Sequence, residues 1–317
     1  MKIFTGIQPS GDLHIGNYFG AIKPMLEQKN NLIMFIADYH AMTSVLKKNN
    51  LLKENIKKAA AAFVSLGLDY KNNIFYLQSD VKEVLELYWI LSNFTPMGLL
   101  ERAHSYKDKI AKGISPNHSL FSYPVLMAAD ILLFDANKVP VGKDQIQHIE
   151  IARDIAIKIN NEFGQIFSLP EALIDENMQT IVGTDGAKMS KSYSNTIDIF
   201  TDYKSLKKQV NKIASDSTPL EEPKDWQNCN IFKIASLFLN EDEQNSLKQR
   251  YASGKEGYGH FKLYLCDVIW EYFSKARAEY ERLLSTNEIY DILNIGKDKA
   301  KVLAKQNLDK IKQAMNI

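Results

Sequence analysis

The first half of the chain alternates short apolar runs with segments whose apolar residues recur at helical spacing. Residues 3–7, 32–37 and 74–77 are apolar runs of strand length, and continuous runs of this kind are typical of strands buried on both faces. Between the last two runs, residues 51–66 place their apolar side chains on one helical stripe that stops at Gly67. This alternation predicts right-handed crossovers and a parallel sheet.

The pattern continues with a strand at 139–142 and with helices at 81–91, 125–134 and 144–160, the last with Asp144 as its N-cap. Beyond residue 190 the strand pattern fades. Helix-like segments follow around 203–213, 231–239, 241–251, 261–284 and 297–315. The chain is therefore predicted to form an α/β domain over residues 1–190 and a mainly α-helical domain over residues 191–317.

Composition narrows the class of protein. The hydrophobic fraction of 45% and charged fraction of 24% indicate a globular protein, and a formal net charge of +1 means that any nucleic-acid contact must come from a local patch. Cys229 and Cys266 lie near no Cys/His cluster, which argues against a disulfide framework and fits a reducing cytosol. Because there is no signal-peptide stretch and no run of about 18 apolar residues, we expect a cytoplasmic protein without a membrane partner.

Residues 8–17 read Gln-Pro-Ser-Gly-Asp-Leu-His-Ile-Gly-Asn, directly after the first predicted strand. A helix starting near Gly16 or Asn17 would aim its N-terminal N–H groups at this turn, which suits a phosphate. Gly16 lacks a Cβ and would let a flat purine approach, while His14 and Asn17 can donate hydrogen bonds to phosphate oxygens. The alternative is an ordinary strand–turn–helix corner, because turns rich in Gly and Pro are common.

A second segment, at 188–192, reads Lys-Met-Ser-Lys-Ser and follows a Gly-Thr-Asp-Gly turn. Lys188 and Lys191 stand three positions apart, so both ammonium groups can reach one polyphosphate, and a loop of this kind can close over the reacting phosphate and reopen. Met189 offers an adaptable apolar contact for an adenine face. A solvated basic turn is the alternative.

In this order, the two segments resemble the H-I-G-H and K-M-S-K-S elements of class I aminoacyl-tRNA synthetases. The chain looks most like the bacterial tryptophanyl-tRNA synthetase family, because it also carries Val-Leu-Met-Ala-Ala-Asp-Ile-Leu-Leu at 125–133 and Val-Pro-Val-Gly-Lys-Asp-Gln at 139–145. The resemblance covers the catalytic half and continues more weakly through 257–262. It implies a Rossmann-like catalytic domain with a dimer-forming helical insertion at about 82–135, and a helical region that binds the tRNA anticodon.

The resemblance also implies where ATP binds. The expected ATP-binding residues are Gln8, Pro9, Ser10, Gly16, Asn17, Gly142, Lys143, Asp144, Ile181, Lys188, Met189, Ser190, Lys191 and Ser192. Of these, Lys188, Ser190 and Lys191 are expected to act in catalysis. His14 stands where the family often has Thr, and Lys143 where it often has Glu. A backbone contact of Lys143 with the nucleotide is compatible with that change, and whether its side chain also contacts ATP stays open.

The amino-acid site is expected around Asp130, the one carboxylate in its apolar run. A buried carboxylate needs a donor, and indole offers one N–H and no acceptor. A partly exposed Asp130, or one paired with an arginine or a backbone amide, is the alternative that the resemblance disfavours. The predicted L-tryptophan-binding residues are Asp130, Met127, Tyr123, Phe4, His40 and Gln145. Ordinary core packing is the alternative for all of these except Asp130 and Gln145.

The expected partners follow from the same resemblance. Mg²⁺ would accompany ATP, held by phosphate oxygens and water. Gln145 and His148 share a helix face without a third ligand, so no metal site made by the protein is predicted. Lysines at 204, 207, 208 and 212 nearly line one stripe and either contact RNA phosphates or form a solvated face. The family pattern implies tRNA(Trp) and a second copy of the chain, in a homodimer.

The predicted activity is that of a tryptophan–tRNA ligase. The carboxylate of L-tryptophan would attack the α-phosphorus of ATP, and the tryptophanyl group would then pass to the 3′ end of tRNA(Trp). Because the nucleophile already carries charge, the reaction needs positioning and charge stabilisation rather than a general base. A tyrosyl enzyme is the nearest alternative, with a pocket that pairs the substrate hydroxyl. A non-enzymatic RNA-binding descendant and a generic nucleotidylyltransferase are disfavoured by the intact lysine loop and the long helical half.

Overall fold

A parallel sheet organises the first half of the molecule. The computed structural model describes residues 2–9, 11–27, 31–45, 51–111, 113, 117–142, 145–173 and 181–317. The described strands are β1 (Ile3–Ile7), β2 (Leu32–Ile36), β3 (Ile74–Leu77), β4 (Lys138–Pro140) and β5 (Glu171–Leu173). They lie in the order β3-β2-β1-β4-β5, and each neighbouring pair is parallel, so the predicted sheet is confirmed. β5 was not predicted because its Glu-Ala-Leu sequence is short and has no β-branched or aromatic residue.

The centre of the sheet is closely packed. All five residues of β2 are buried, as its continuous apolar run predicts. Gly6 on β1 pairs in register with Phe35 on β2. A Cβ at Gly6 would lie only 2.4 Å from the Phe35 ring, so glycine is needed for the ring to lie across β1.

Helices cover the sheet and carry most of the chain. Before residue 181 they are α1 (Ile15–Asn17), α2 (Lys23–Leu26), α3 (Asp38–Val45), α4 (Leu51–Ser65), α5 (Glu83–Ser92), α6 (Met97–Glu101), α7 (His104–Ala111), α8 (His118–Leu133) and α9 (Ile146–Phe163), with a π-helical turn at Tyr18–Ile22. After residue 190 they are α10 (Tyr203–Asn211), α11 (Asn230–Ala235), α12 (Glu241–Ala252), α13 (Tyr258–Tyr272), α14 (Ser274–Ser285) and α15 (Glu288–Met315). The predicted α/β half and mainly helical half are therefore confirmed.

Several helices begin or end at other residues than predicted. α9 begins at Ile146 with Gln145 in the N-cap position; Asp144, the predicted cap, lies outside the described residues. The single helix predicted at 261–284 is two helices, because the chain bends at Phe273, whose φ and ψ are −97° and 10°. The bend buries the Phe273 ring against Tyr18 and Phe238.

The C-terminal helix returns to the sheet. α15 packs against β3, and Ile289, Ile292 and Leu293 share a core with Phe75. A Cβ at Gly296 would lie 1.7 Å from the Phe75 carbonyl oxygen, so glycine permits this close approach.

The division of the chain at residue 190 stays a prediction. Among the described helices, none is both long and apolar enough to cross a membrane.

Candidate active site

The turn after β1 is closed by a histidine cap. The His14 Nδ1 atom accepts a hydrogen bond from the Asn17 backbone N–H at 3.2 Å, and the Asn17 Oδ1 atom accepts one from the His14 N–H at 3.2 Å. Burial, and then the positive charge of Lys191, lower the pKa of His14 to about 4. The ring is therefore neutral near pH 7. Because Nδ1 accepts, its proton is on Nε2, which can act as a donor.

The lysine loop packs directly on this cap. A Cβ at Gly16 would lie 3.1 Å from the Met189 Cβ and 2.9 Å from the His14 Nδ1. Met189 is only 4% exposed and belongs to a core with Ile15 and Ile181. In this structure Gly16 thus makes room for protein side chains, and the Met189 side chain contributes to the core.

A buried asparagine, which the sequence analysis missed, holds the loop in shape. Asn195 is 2% exposed. Its Oδ1 accepts a hydrogen bond from the Ser190 N–H at 2.7 Å, and its Nδ2 donates to the Lys188 carbonyl at 3.0 Å and to the Asp185 Oδ1 at 2.8 Å. A Cβ at Gly183 would lie 2.3 Å from the Asn195 Nδ2, so the Gly-Thr-Asp-Gly turn needs glycine at this point. The sequence did offer one indication of this role, an asparagine shortly after the Lys-Met-Ser-Lys-Ser segment.

Both motifs border one cavity of about 410 Å³, called here the first cavity. Four of the predicted ATP-binding residues line it, namely Gln8, Asn17, Ser190 and Lys191. His14 also lines it, and the Lys191 ammonium lies 3.6 Å from the point where a Gly11 Cβ would stand. The lysine loop and the turn after β1 therefore face each other across the cavity.

The other predicted ATP-binding residues lie elsewhere. Pro9, Ile181 and Met189 are buried, Gly16 is half-buried, and Lys188 and Ser192 are exposed; none of them lines the first cavity. Gly142 lines a different cavity. Ser10, Lys143 and Asp144 lie outside the described residues.

A second cavity, of about 380 Å³, adjoins the first, and Gln8 lines both. It contains every residue predicted to bind tryptophan: Phe4, His40, Tyr123, Met127, Asp130 and Gln145. These side chains come from β1, α3, α8 and the start of α9. The fold thus gathers residues that are far apart in the sequence around one space.

Asp130 is the buried charge of this cavity, with an exposure of 1%. Its Oδ2 lies 2.9 Å from His40 Nε2, and the Gln78 amide donates to both carboxylate oxygens at 2.9 and 2.8 Å. Burial raises the pKa of the Asp130 carboxyl, and the hydrogen bonds from His40 and Gln78 oppose that rise. Gln78 was not predicted; its amide oxygen accepts from the Tyr39 N–H at 3.1 Å, which fixes its orientation.

A second hydrogen-bonded set of side chains includes two residues that line this cavity, Tyr123 and Gln145, and one that does not, His148. His148 is 1% exposed. Its Nδ1 lies 2.9 Å from Gln145 Oε1, and its Nε2 is hydrogen-bonded to the Tyr123 hydroxyl. Within the described ranges, no three His, Cys, Asp or Glu side chains converge on a point that could hold a metal ion.

Known proteins resemble this chain along its whole length. The family described as tRNA synthetases class I (W and Y) matches residues 1–274. The tryptophan–tRNA ligase of Campylobacter jejuni strain RM1221 is 62% identical over 100% of both chains, and that of Fusobacterium nucleatum is 52% identical over 100% of this chain and 97% of its own. A crystal structure of the Campylobacter jejuni tryptophanyl-tRNA synthetase, complexed with ADP and tryptophan, superposes with a TM-score of 0.97 at 62% identity over 100% of both chains. The family predicted from the motifs is confirmed, and the chain belongs to the class I tRNA synthetases for tryptophan and tyrosine.

Proposed function

We propose that the two adjoining cavities activate L-tryptophan with ATP and then transfer the tryptophanyl group to tRNA(Trp). The activity is that of a tryptophan–tRNA ligase, which full-length identity to enzymes of that name supports. The observation that carries the proposal is the shared Gln8 wall. It places a cavity lined by Lys191 and by side chains that can donate hydrogen bonds to phosphate next to a cavity lined by the buried Asp130 carboxyl.

In the first step, a carboxylate oxygen of tryptophan attacks the α-phosphorus of ATP, a new O–P bond forms, and pyrophosphate leaves. Lys191 and His14 line the first cavity and would stabilise the charge that develops on the phosphates, Lys191 by its positive charge and His14 by donating a hydrogen bond from Nε2. In the second step, a hydroxyl of the terminal ribose of the tRNA attacks the activated carbonyl and AMP leaves. The enzyme's part in both steps is positioning and electrostatic stabilisation.

Selection of tryptophan is assigned to Asp130. Its Oδ1 receives one hydrogen bond from Gln78, whereas Oδ2 receives hydrogen bonds from both His40 and Gln78. Oδ1 therefore keeps acceptor capacity for the indole N–H. The aromatic walls of Phe4 and Tyr123 suit a flat, largely apolar ring.

Mg²⁺ is proposed to enter with ATP. Asp12 is the carboxylate among the residues lining the first cavity, and a single carboxylate fits an ion that keeps most of its ligands from phosphate and water. The ion would neutralise phosphate charge during the attack.

A homodimer and contacts with tRNA are also proposed. Leu85, Trp89 and Met97 on α5 and α6 expose 41%, 71% and 63% of their surfaces, and exposed apolar clusters of this kind mark interfaces. The four exposed lysines of the 204–212 stripe are proposed to meet tRNA phosphates. The cytoplasmic location stays a prediction.

ATP–pyrophosphate exchange tests the function. L-tryptophan should drive exchange, while L-tyrosine and L-phenylalanine should not; exchange driven by tyrosine would overturn the assignment of Asp130. Lys191→Ala should reduce exchange by about 100-fold or more and leave tryptophan binding nearly unchanged. The matched control is Lys301→Ala, at an exposed position on α15, which should keep full activity. Wild-type exchange in Lys191→Ala would remove the lysine loop from the mechanism.

A further inference from the structure

A third cavity, of about 430 Å³, adjoins the first, and Phe200 lines both. The Phe200 ring stacks on that of Tyr280, which lines the first cavity, with ring centres 4.0 Å apart. Gln8 thus joins the second cavity to the first, and Phe200 joins the first to the third. The charged and aromatic residues that line the third cavity besides Phe200 are Asp202, Trp270, Arg277 and Glu281.

The arginine of this cavity is held against an aromatic ring. The Arg277 Cζ atom lies 3.8 Å from the centre of the Trp270 ring, and Nη2 donates a hydrogen bond to the Trp270 carbonyl. Within the described ranges, Nε and Nη1 donate to no protein acceptor, and no ion pair joins Arg277 to Glu281, one turn further along α14. The cavity therefore keeps two guanidinium donors and a carboxylate for a ligand.

The balance of charge in the cavity favours a nucleobase over a phosphate. One arginine faces two carboxylates, and an anion would be repelled by the excess negative charge. Both oxygens of Asp202 already accept hydrogen bonds from Ser205, at 2.9 and 2.6 Å. A base offers what the other groups need: a flat face to stack on an arginine or an aromatic ring, acceptors for the guanidinium, and an amino group for Glu281.

The position of the cavity indicates which bases can reach it. In the transfer step the terminal ribose of tRNA must enter the first cavity, so the unpaired nucleotides that precede it lie at the edge of that cavity. The third cavity adjoins this edge at Phe200. We propose that it binds an unpaired base of the single-stranded 3′ end of tRNA, stacked on Arg277 and Trp270 with its amino group donating to Glu281. This inference rests on the proposed function.

Two activities of the same enzyme separate this role from support of the active site, because pyrophosphate exchange needs no tRNA and aminoacylation does. Arg277→Met removes the planar donors and keeps an apolar side chain. We expect the KM for tRNA(Trp) to rise about fivefold or more, as when one base stack is lost, while exchange changes by less than about twofold. Exchange at the wild-type rate also shows that the variant folds. If Arg277→Met fails to fold, Arg277→Lys, which keeps the charge without the planar group, should give a smaller rise.

The matched control is Lys275→Met, which removes a positive charge at an exposed position of α14 that does not line the cavity. It should leave both activities unchanged. Loss of exchange in a folded Arg277 variant, in proportion to the loss of aminoacylation, would make Arg277 a support of the first cavity through Phe200 and overturn the proposal. Absence of tryptophan-dependent exchange in the wild type would instead defeat the proposed function.

A double-mutant cycle between protein and RNA identifies the part of the tRNA that is bound. The dissociation constants of intact tRNA(Trp) and of tRNA(Trp) lacking its unpaired 3′ nucleotides would be measured with the wild type and with Arg277→Met. Truncation should weaken binding to the wild type by a larger factor than binding to the variant. Losses that simply multiply would place the third cavity against another part of the tRNA, such as the anticodon loop, and overturn the proposal.

Glu281→Met tests whether the ligand is a base. Removing an acceptor for the amino group should raise the KM for tRNA(Trp) by about twofold to tenfold, the range for one hydrogen bond. A lower KM in this variant would show that the carboxylate repels the ligand, as it would repel a phosphate, and would overturn the assignment of a base.

Discussion

At the scale of single residues, the state of His14 decides what the first motif can offer a phosphate. The ring caps α1 through Nδ1 and is 5% exposed, and burial followed by the nearby Lys191 charge lowers its pKa to about 4. A neutral ring with its proton on Nε2 is a donor to an anion without bringing a full charge. The phosphate site therefore depends on Lys191 for positive charge and on His14 for a hydrogen bond of defined direction.

We predict that NMR titration of the His14 ring gives a pKa near 4. Lys191→Gln should raise this pKa, because one of the two lowering causes is removed, yet keep it below the ordinary value of 6.5, because burial remains. Since the folded pKa lies below the unfolded one, the contribution of His14 to folding stability is complete above about pH 6.5 and is lost as the pH falls through about 4. A titration midpoint near 6.5 in the wild type would contradict the buried cap.

Residues that orient other side chains were harder to predict from the sequence than residues proposed to contact the substrates. The motifs and Asp130 were visible because their chemistry is unusual for their local pattern. Asn195 and Gln78 were missed, although they hold the lysine loop and the Asp130 carboxylate, because their partners are distant in sequence or hidden by ordinary loop composition. A long-range hydrogen bond has no periodic signature along the chain.

At the scale of elements, the hydrophobic period predicted four of the five described strands and most of the helices, and packing determined where the helices begin and end. The helix-like run predicted from residue 125 belongs to α8, which begins at His118 and continues through Pro124. The Asn117 side chain caps it by accepting from the Leu120 N–H at 2.8 Å. Pro124 lies inside the helix and cannot donate the hydrogen bond that another residue there would give to the Leu120 carbonyl. Because proline usually ends or breaks a helix, it concealed the true start of α8.

Gly296 sets how closely α15 approaches β3, and we predict that Gly296→Ala is destabilising. The added methyl group would overlap the Phe75 carbonyl, whose oxygen would lie 1.7 Å away, so backbone must move. The expected loss in the free energy of unfolding is about 2–3 kcal/mol, the upper part of the range for overpacking because backbone atoms must move, and it would be measured as a lower urea midpoint.

A second glycine provides the control for this prediction. Gly259 lies in α13, and a Cβ there would meet nothing within 4 Å. Gly259→Ala should therefore leave the urea midpoint unchanged or raise it, because alanine favours helix by up to about 1 kcal/mol. Equal midpoints for Gly296→Ala and the wild type would show that α15 does not need this close contact.

At the scale of the whole molecule, the amino-acid cavity is joined to a candidate subunit surface through packed helices. α5 packs extensively against α8, and α8 carries Tyr123 and Asp130. The same α5 exposes Leu85 and Trp89 on its outer side. A second copy covering that surface would support the helix that forms one wall of the tryptophan cavity.

Trp89 is the best single test of the homodimer. Its side chain is 71% exposed, and a tryptophan at the centre of an interface often contributes a large share of the binding energy. Trp89→Glu should shift the protein from dimer to monomer in sedimentation velocity at micromolar concentration, since it places a charge where apolar surface would be buried. Val302→Glu, at a position on α15 that is 60% exposed, makes the same chemical change elsewhere and should leave the dimer intact. A wild-type monomer would overturn the proposed homodimer, and a dimer that withstands Trp89→Glu would move the interface away from α5.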